Sequence, residues 1–229
     1  MTNYIVASSK DWHRKAFARR QSGAADVWEY VSSPEELEWA SEDYQPRYIF
    51  FLHWNWLVPK DIWSRYECVC FHMTDVPFGR GGSPLQNLIE RGYSETQLTA
   101  LRMSEEMDAG PVYVKRPLSL EGRAEEIYLR AGDISWELID WIIRVKPEPV
   151  PQTGKVTLFK RRKPFQSVLP TNGELNRVYD HIRMLDAPTY PRAFVEHGDY
   201  ILEFSQAEFG EEEVKAHVTI RKKQHDGKR

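Results

Sequence analysis

The sequence predicts an α/β protein: a Rossmann-like, mostly parallel sheet with helices on both faces, followed by a small C-terminal α+β region. Three observations lead there. Strand-like and helix-like stretches alternate with short connections up to His72, the pattern of parallel strands joined by crossover helices. From Ala124 to Val145 the residues Ile127, Ile134, Leu138, Ile142 and Val145 recur at three-, four- and seven-residue spacing, one face of a single long helix. Then Lys146-Pro147-Glu148-Pro149-Val150-Pro151 halts any helix, because proline lacks the amide hydrogen and its ring collides with the preceding turn. The expected organisation is a domain over 1–146 and a smaller α+β subdomain over 147–229.

Each element has a local reason. Tyr4 to Ser8 is a short apolar run and reads as a buried strand. Asp11 to Arg20 reads as a helix stopped near Gly23, and Val27 to Val31 as the next strand. Ser33-Pro34-Glu35-Glu36 has a capping serine, a proline at the first helical position and a glutamate that completes a capping box. That helix runs to about Glu42. Arg47 to Trp54 is the most apolar strand candidate. A short helix from Lys60 to Tyr66 precedes a buried strand, Cys68 to His72. A glycine-rich loop, Pro77 to Gly82, leads into a second capping box, Ser83-Pro84-Leu85-Gln86, with a helix stopped at Gly92. Gln97 to Met103 and Pro111 to Leu118 read as strands. Beyond the prolines, a helix is expected from Gly173 to Asp186. Two antiparallel strands follow, Tyr200 to Phe204 and Val214 to Ile220.

Composition excludes several classes. Of 229 residues 41% are hydrophobic and 28% charged, the balance of a folded globular chain. No run of about 18 apolar residues occurs, so no membrane span is expected. The first residues lack the layout of a signal peptide, and the cytoplasm is the expected compartment. Cys68 and Cys70 are the two cysteines; they build neither a disulfide framework nor, alone, a zinc site, and no metal is expected. A net charge of −3 argues against a broad electropositive surface for nucleic acid.

In a parallel sheet ligands sit beyond the carboxyl ends of the strands. That rule singles out His53-Trp54-Asn55-Trp56 and His72-Met73-Thr74-Asp75. Asp108, followed by Ala109-Gly110, lies where the chain turns back to the sheet edge. His72 and Asp108 together make a base and its orienting carboxylate. The glycines at 79, 81 and 82 do not match G-x-G-x-x-G, and no Gly-Lys-Ser/Thr follows, so they are not read as a phosphate cradle.

Residues 71–110, FHMTDVPFGRGGSP followed by TALRMSEEMDAG, resemble the signature of the formyltetrahydrofolate-dependent formyltransferases. In that family a strand ends in Asn-x-His, a Ser/Thr-x-Leu-Pro-x-x-Arg-Gly-x-x-Pro loop follows, and an Asp-x-Gly comes later. His72 matches the histidine. Thr74, Val76, Pro77, Arg80, Gly81 and Pro84 match the loop, and Asp108 and Gly110 the Asp-x-Gly. Phe159-x-Arg161-Arg162-x-Pro164 and Ile182 to Asp186 resemble stretches of the branches that act on amino sugars and on methionyl-tRNA. The family asparagine is replaced by Cys70. A thiol is a poor donor, so either the site is degenerate or another amide serves, and Asn55 is the candidate.

The resemblance implies N10-formyltetrahydrofolate as formyl donor. It implies His72 as base or relay, Asp108 as its orienter, and donors for a developing oxyanion supplied by Asn55 and His72. Donor-binding candidates are Trp56, Leu57, Val58, Val76, Pro77, Arg80 and Met107. The first-choice acceptor is a nucleotide-linked amino sugar, with Trp54, Tyr190 or Phe194 stacking on its base. Methionyl-tRNA is the runner-up, since Lys160 to Lys163 is a short basic patch. A hydrolase releasing formate and a non-catalytic folate- or sugar-binding module remain open.

Overall fold

A computed structural model describes residues 2–21, 26–188 and 190–223. The stop expected near Gly23 lies outside the described residues. The alternating region forms β1 (Asn3–Ala7), α1 (Asp11–Gln21), β2 (Val27–Val31), α2 (Pro34–Tyr44), β3 (Tyr48–Phe51), α3 (Lys60–Arg65) and β4 (Glu67–His72). The strands stand in the order β2-β1-β3-β4, each adjacent pair parallel. Successive strand residues face opposite sides. Ile5, Ala7, Val31, Ile49, Phe51 and Cys68 therefore share one face, where they pack with Leu37 and Ala40 of α2 and Ile62 of α3. Tyr30 alternates to the other face, and Phe17 of α1 meets it there with ring centroids 5.3 Å apart. Ile5, Ile49 and Phe50 are wholly buried, each worth about 1.5–3 kcal/mol of apolar transfer.

The chain continues through β5 (Arg80–Gly81), α4 (Pro84–Ile89), β6 (Glu95–Arg102), β7 (Val112–Ser119), α5 (Ala124–Val145), β8 (Leu158–Phe159), a 3-10 turn (Pro164–Ser167), α6 (Leu175–Arg183), β9 (Ala193–His197), β10 (Tyr200–Phe209) and β11 (Val214–Lys222). β6 joins the sheet antiparallel to β4, and β7 forms the edge. The sheet is thus mixed and mostly parallel. Among the described residues no helix is long and apolar enough to cross a membrane.

The residues group into two compact units. The first holds the chain through Gly81, Thr96–Leu118 and Leu129–Phe159; the second holds Gly82–Glu95, Ser119–Tyr128 and the chain from Lys160 onward. The boundary read at 146/147 falls inside the first unit. That unit runs on to Phe159 because β8 pairs in parallel with β5.

The second unit contains the antiparallel sheet β11-β10-β9. Its buried Arg183 donates to the carbonyls of Leu120 and Gly122, and Asp186 accepts from Arg192 and the Gln206 amide. β9 was not foreseen; it is held by pairing with β10 rather than by its own pattern. The cap expected at Ser33 forms, with Ser33 Oγ accepting from the Glu36 amide at 3.2 Å, and the Glu36 carboxylate reaches back one residue further, to the Ser32 amide at 2.6 Å. The one expected at Ser83 does not. Ser83 has φ +51 and makes no capping bond. Its hydroxyl accepts from the Arg162 amide at 3.1 Å and pairs with the Tyr190 hydroxyl, while Gln86 donates to Tyr128 and to the Met184 carbonyl.

Candidate active site

His72 ends β4 on the same face as Cys68 and Cys70. Its buried ring is fixed on both sides. Nε2 lies 2.8 Å from the Gly79 carbonyl. A carbonyl oxygen can only accept, so Nε2 carries the hydrogen of that bond. Nδ1 faces Asp108 Oδ2 at 3.6 Å. The same carboxylate oxygen accepts from the Gly81 amide at 2.9 Å. Imidazole, carboxylate and glycine-rich loop therefore form one connected group, and all of these residues lie in the first unit.

Close backbone approach makes the group possible. Asp108 adopts φ +55 in the β6–β7 turn. Gly110 lies so near the Arg102 carbonyl oxygen that any side chain would overlap it, so the glycine of Asp-x-Gly is required by space. The Gly79 and Arg80 amides both donate to the Thr157 carbonyl, and the Thr157 amide donates to Pro77. Thr74 Oγ1 donates to the Gly79 carbonyl at 3.3 Å, and Thr99 Oγ1 to the Thr74 carbonyl at 2.7 Å.

The expected donor-binding residues are distributed unequally. Val58 is partly buried and packs on the apolar cluster beside Trp54, Cys70 and Met103. Trp56 meets Trp54 edge-on at 4.9 Å and is half exposed; Leu57 is 82% exposed and Met107 57%. Val76 is buried, and its carbonyl accepts from Lys115. Pro77 follows it through a cis peptide bond. Arg80 is buried; its Nε and one terminal nitrogen donate to Gln152 Oε1 at 3.0 and 2.9 Å, and the other lies 3.5 Å from Glu106. Asn55 is exposed in the loop after β3, and nothing among the described residues hydrogen-bonds its amide.

Cys70 is not an oxyanion donor as it stands. Its thiol is directed at the Leu101 carbonyl across the sheet, at 3.7 Å. Burial raises its pKa, and the nearby negative charge of Asp108 adds to the effect, so it is held as a neutral thiol. The loop bearing Asn55 is anchored by a histidine pair. His13 Nε2 and His53 Nδ1 are 2.9 Å apart, with the rings stacked. Burial lowers both pKa values, His13 to about 3 and His53 to about 4. This pair was not foreseen, nor was Gln152. Gln152 sits in a proline-rich stretch whose local pattern says only that a helix has ended. Among the described residues no group of three or more His, Cys, Asp or Glu is placed to hold a metal.

Comparison with known proteins gives the family. Residues 164–221 match the model described as methionyl-tRNA formyltransferase, C-terminal domain. The structure of a methionyl-tRNA formyltransferase from Clostridium thermocellum is 41% identical with a TM-score of 0.93, covering 97% of this chain and 100% of that one. A methionyl-tRNA formyltransferase from Thermodesulfovibrio yellowstonii is 23% identical over 154 residues, 64% of this chain and 49% of its own. The chain thus spans about half the length of the curated relatives it matches. A 4-N formyltransferase from Francisella tularensis superposes with a TM-score of 0.65 at 14% identity, covering 84% of this chain and 91% of that one, a likeness of fold alone. The expected amino-sugar acceptor is therefore corrected: the relatives matched in sequence are methionyl-tRNA formyltransferases. A strand ending in His72, its loop and the Asp108 turn, together with a relative at 41% identity matched over 97% of this chain, lead to one conclusion: the chain belongs to the formyltransferase family.

Proposed function

We propose that the chain moves a formyl group from N10-formyltetrahydrofolate to the α-amino group of methionyl-tRNA. The observation that carries the chemistry is the buried pairing of His72 Nδ1 with Asp108 Oδ2 at the carboxyl end of β4. The acceptor is the one named for the 41%-identical relative from Clostridium thermocellum.

The donor's ring needs a flat apolar slot with a few polar groups. Trp54, Val58 and Met103 supply apolar surface on one face of the sheet, and the buried Trp54 indole N–H has no partner among the described residues. Trp56, edge-on to Trp54, and Leu57 and Met107 are exposed apolar side chains offered as further contacts. These residues fit an amphipathic ring.

In the transfer the acceptor nitrogen bonds to the formyl carbon, the bond from that carbon to N10 breaks, and one proton passes from the amine to N10. Nε2 is engaged by Gly79, so Nδ1 is the position at which His72 takes and returns that proton. The Gly79 carbonyl holds the ring in this orientation, and Asp108, 3.6 Å from Nδ1, stabilises the imidazolium once Nδ1 has taken the proton. The free amide of Asn55 is the proposed donor to the formyl oxygen, a role typically worth about 2.7–4 kcal/mol.

The test is direct turnover of the purified chain with formyl donor and methionyl-tRNA. Formyl-methionyl-tRNA is the expected product. Formate without formylated acceptor would make the chain a hydrolase, and neither product would make it a binding module.

A further inference from the structure

We infer that Gln152 is a positioning residue for formyl transfer, clamping the Asp108 turn and the Arg80 guanidinium to each other; the inference rests on the formyl-transfer reading above. Gln152 Oε1 accepts from two nitrogens of Arg80, at 3.0 and 2.9 Å. Its Nε2 donates to the carbonyls of Asp108 and Gly110, both at 2.8 Å. A primary amide has two donor hydrogens and an oxygen with two lone pairs, and here all four are used.

The arrangement admits glutamine specifically. Flipping the amide would set NH2 against a guanidinium and oxygen against two carbonyls. Glutamate would keep the Arg80 contact but oppose the same carbonyls with negative charge. Asparagine is one methylene too short to span both sides. The carbonyls it grips, of Asp108 and Gly110, flank Ala109 in the turn. Asp108 sits at φ +55, uncommon for a residue with a side chain, and a turn in such a conformation needs outside support to persist. The carboxylate on this turn reaches His72 and the Gly81 amide. Gln152 therefore fixes the distance between carboxylate and imidazole without touching either, and it withdraws Arg80 from free solution.

The test is a double-mutant cycle read by single-turnover formyl transfer, with amide hydrogen exchange of Gly81 as a readout independent of activity. Gln152→Ala is expected to lower the transfer rate 10- to 100-fold with the KM for formyl donor changed less than threefold, and to speed Gly81 exchange. Because the residue acts through Asp108, Gln152→Ala should cost nothing further in an Asp108→Ala background. Gln152→Glu, isosteric and still paired to Arg80, should show the same loss of rate and of Gly81 protection; it also serves if the alanine variant does not fold. Multiplicative losses in the double variant, or unchanged rate in either folded single variant, would overturn the inference. If the wild-type chain transfers no formyl group, the functional reading fails. Gly81 protection then still decides the clamp: unchanged exchange in both variants removes it.

Discussion

The two nitrogens of His72 have separate duties, since Nε2 is tied to the Gly79 carbonyl and Nδ1 faces Asp108. His72→Ala and Asp108→Ala are each expected to lower formyl transfer by about 10²–10⁴-fold, the range for losing an acid-base group, with circular dichroism and thermal midpoint little changed. Near-normal turnover in either purified variant would take that residue out of the mechanism. Asn55 and Cys70 give a contrasting pair. The thiol is committed to Leu101, so Cys70→Ala should be nearly silent in turnover. Asn55→Ala should cost about 10²-fold or more, as loss of one oxyanion donor does, with folate affinity retained. The reverse result would assign the oxyanion to the thiol. His72 and Asp108 were legible because each stands in a local motif. Arg80 was legible as a member of the loop, but its pairing with Gln152, 72 residues along the chain, was not.

Among the elements, the β6–β7 turn and the loop after β3 are held by different physics. The turn depends on Gly110 lying against the Arg102 carbonyl. Gly110→Ala must push the turn away or unfold it, and a destabilisation of about 1–3 kcal/mol or more, as for overpacking, is expected in urea unfolding, with transfer lost. A variant of wild-type stability and activity would show that the turn yields freely. The loop after β3 depends on His13 and His53 remaining neutral. Both fold with pKa values, about 3 and about 4, below the ordinary value of about 6.5. As pH falls, the unfolded chain binds protons first. The pair's contribution is complete above about pH 6.5 and is lost as pH drops toward the folded values. By pH 5 the loss is about 2 kcal/mol per histidine. Urea midpoints from pH 7.5 to 5 should fall steeply in the wild type and less in His13→Asn; parallel slopes would exclude the pair as the cause.

For the whole molecule, acceptor class sets a salt dependence. Lys160, Arg161 and Lys163 are exposed, while Arg162 turns inward to Glu90 and the Gln166 carbonyl. If the exposed cations meet tRNA phosphates, log affinity should fall linearly with log salt, at a slope of about −0.7 to −0.9 per phosphate neutralised. Binding of methionyl-tRNA measured between 50 and 200 mM salt (on the order of a typical titration range) should therefore weaken clearly, and Lys160→Ala with Lys163→Ala should flatten the slope. A flat slope in the unmodified chain would remove this patch from tRNA recognition.

The sequence by itself determined the element order up to β4 and the long helix α5, and it singled out His72 and Asp108, which the fold brings within 3.6 Å of each other. Strand periodicity, a capping serine, a helix face and a compact motif are all properties of neighbours along the chain. Net charge could not separate the acceptor classes, because it sums over the surface and ignores where cations are exposed. Tertiary structure alone decided the antiparallel entry of β6, the return of Thr157–Phe159 to the first unit, and the failure of Ser83 to cap. It alone decided the clamp of Gln152 and the pairing of His13 with His53. Each depends on which backbone carbonyls and side chains become neighbours once distant segments pack, and a buried polar group takes whichever partner that packing provides.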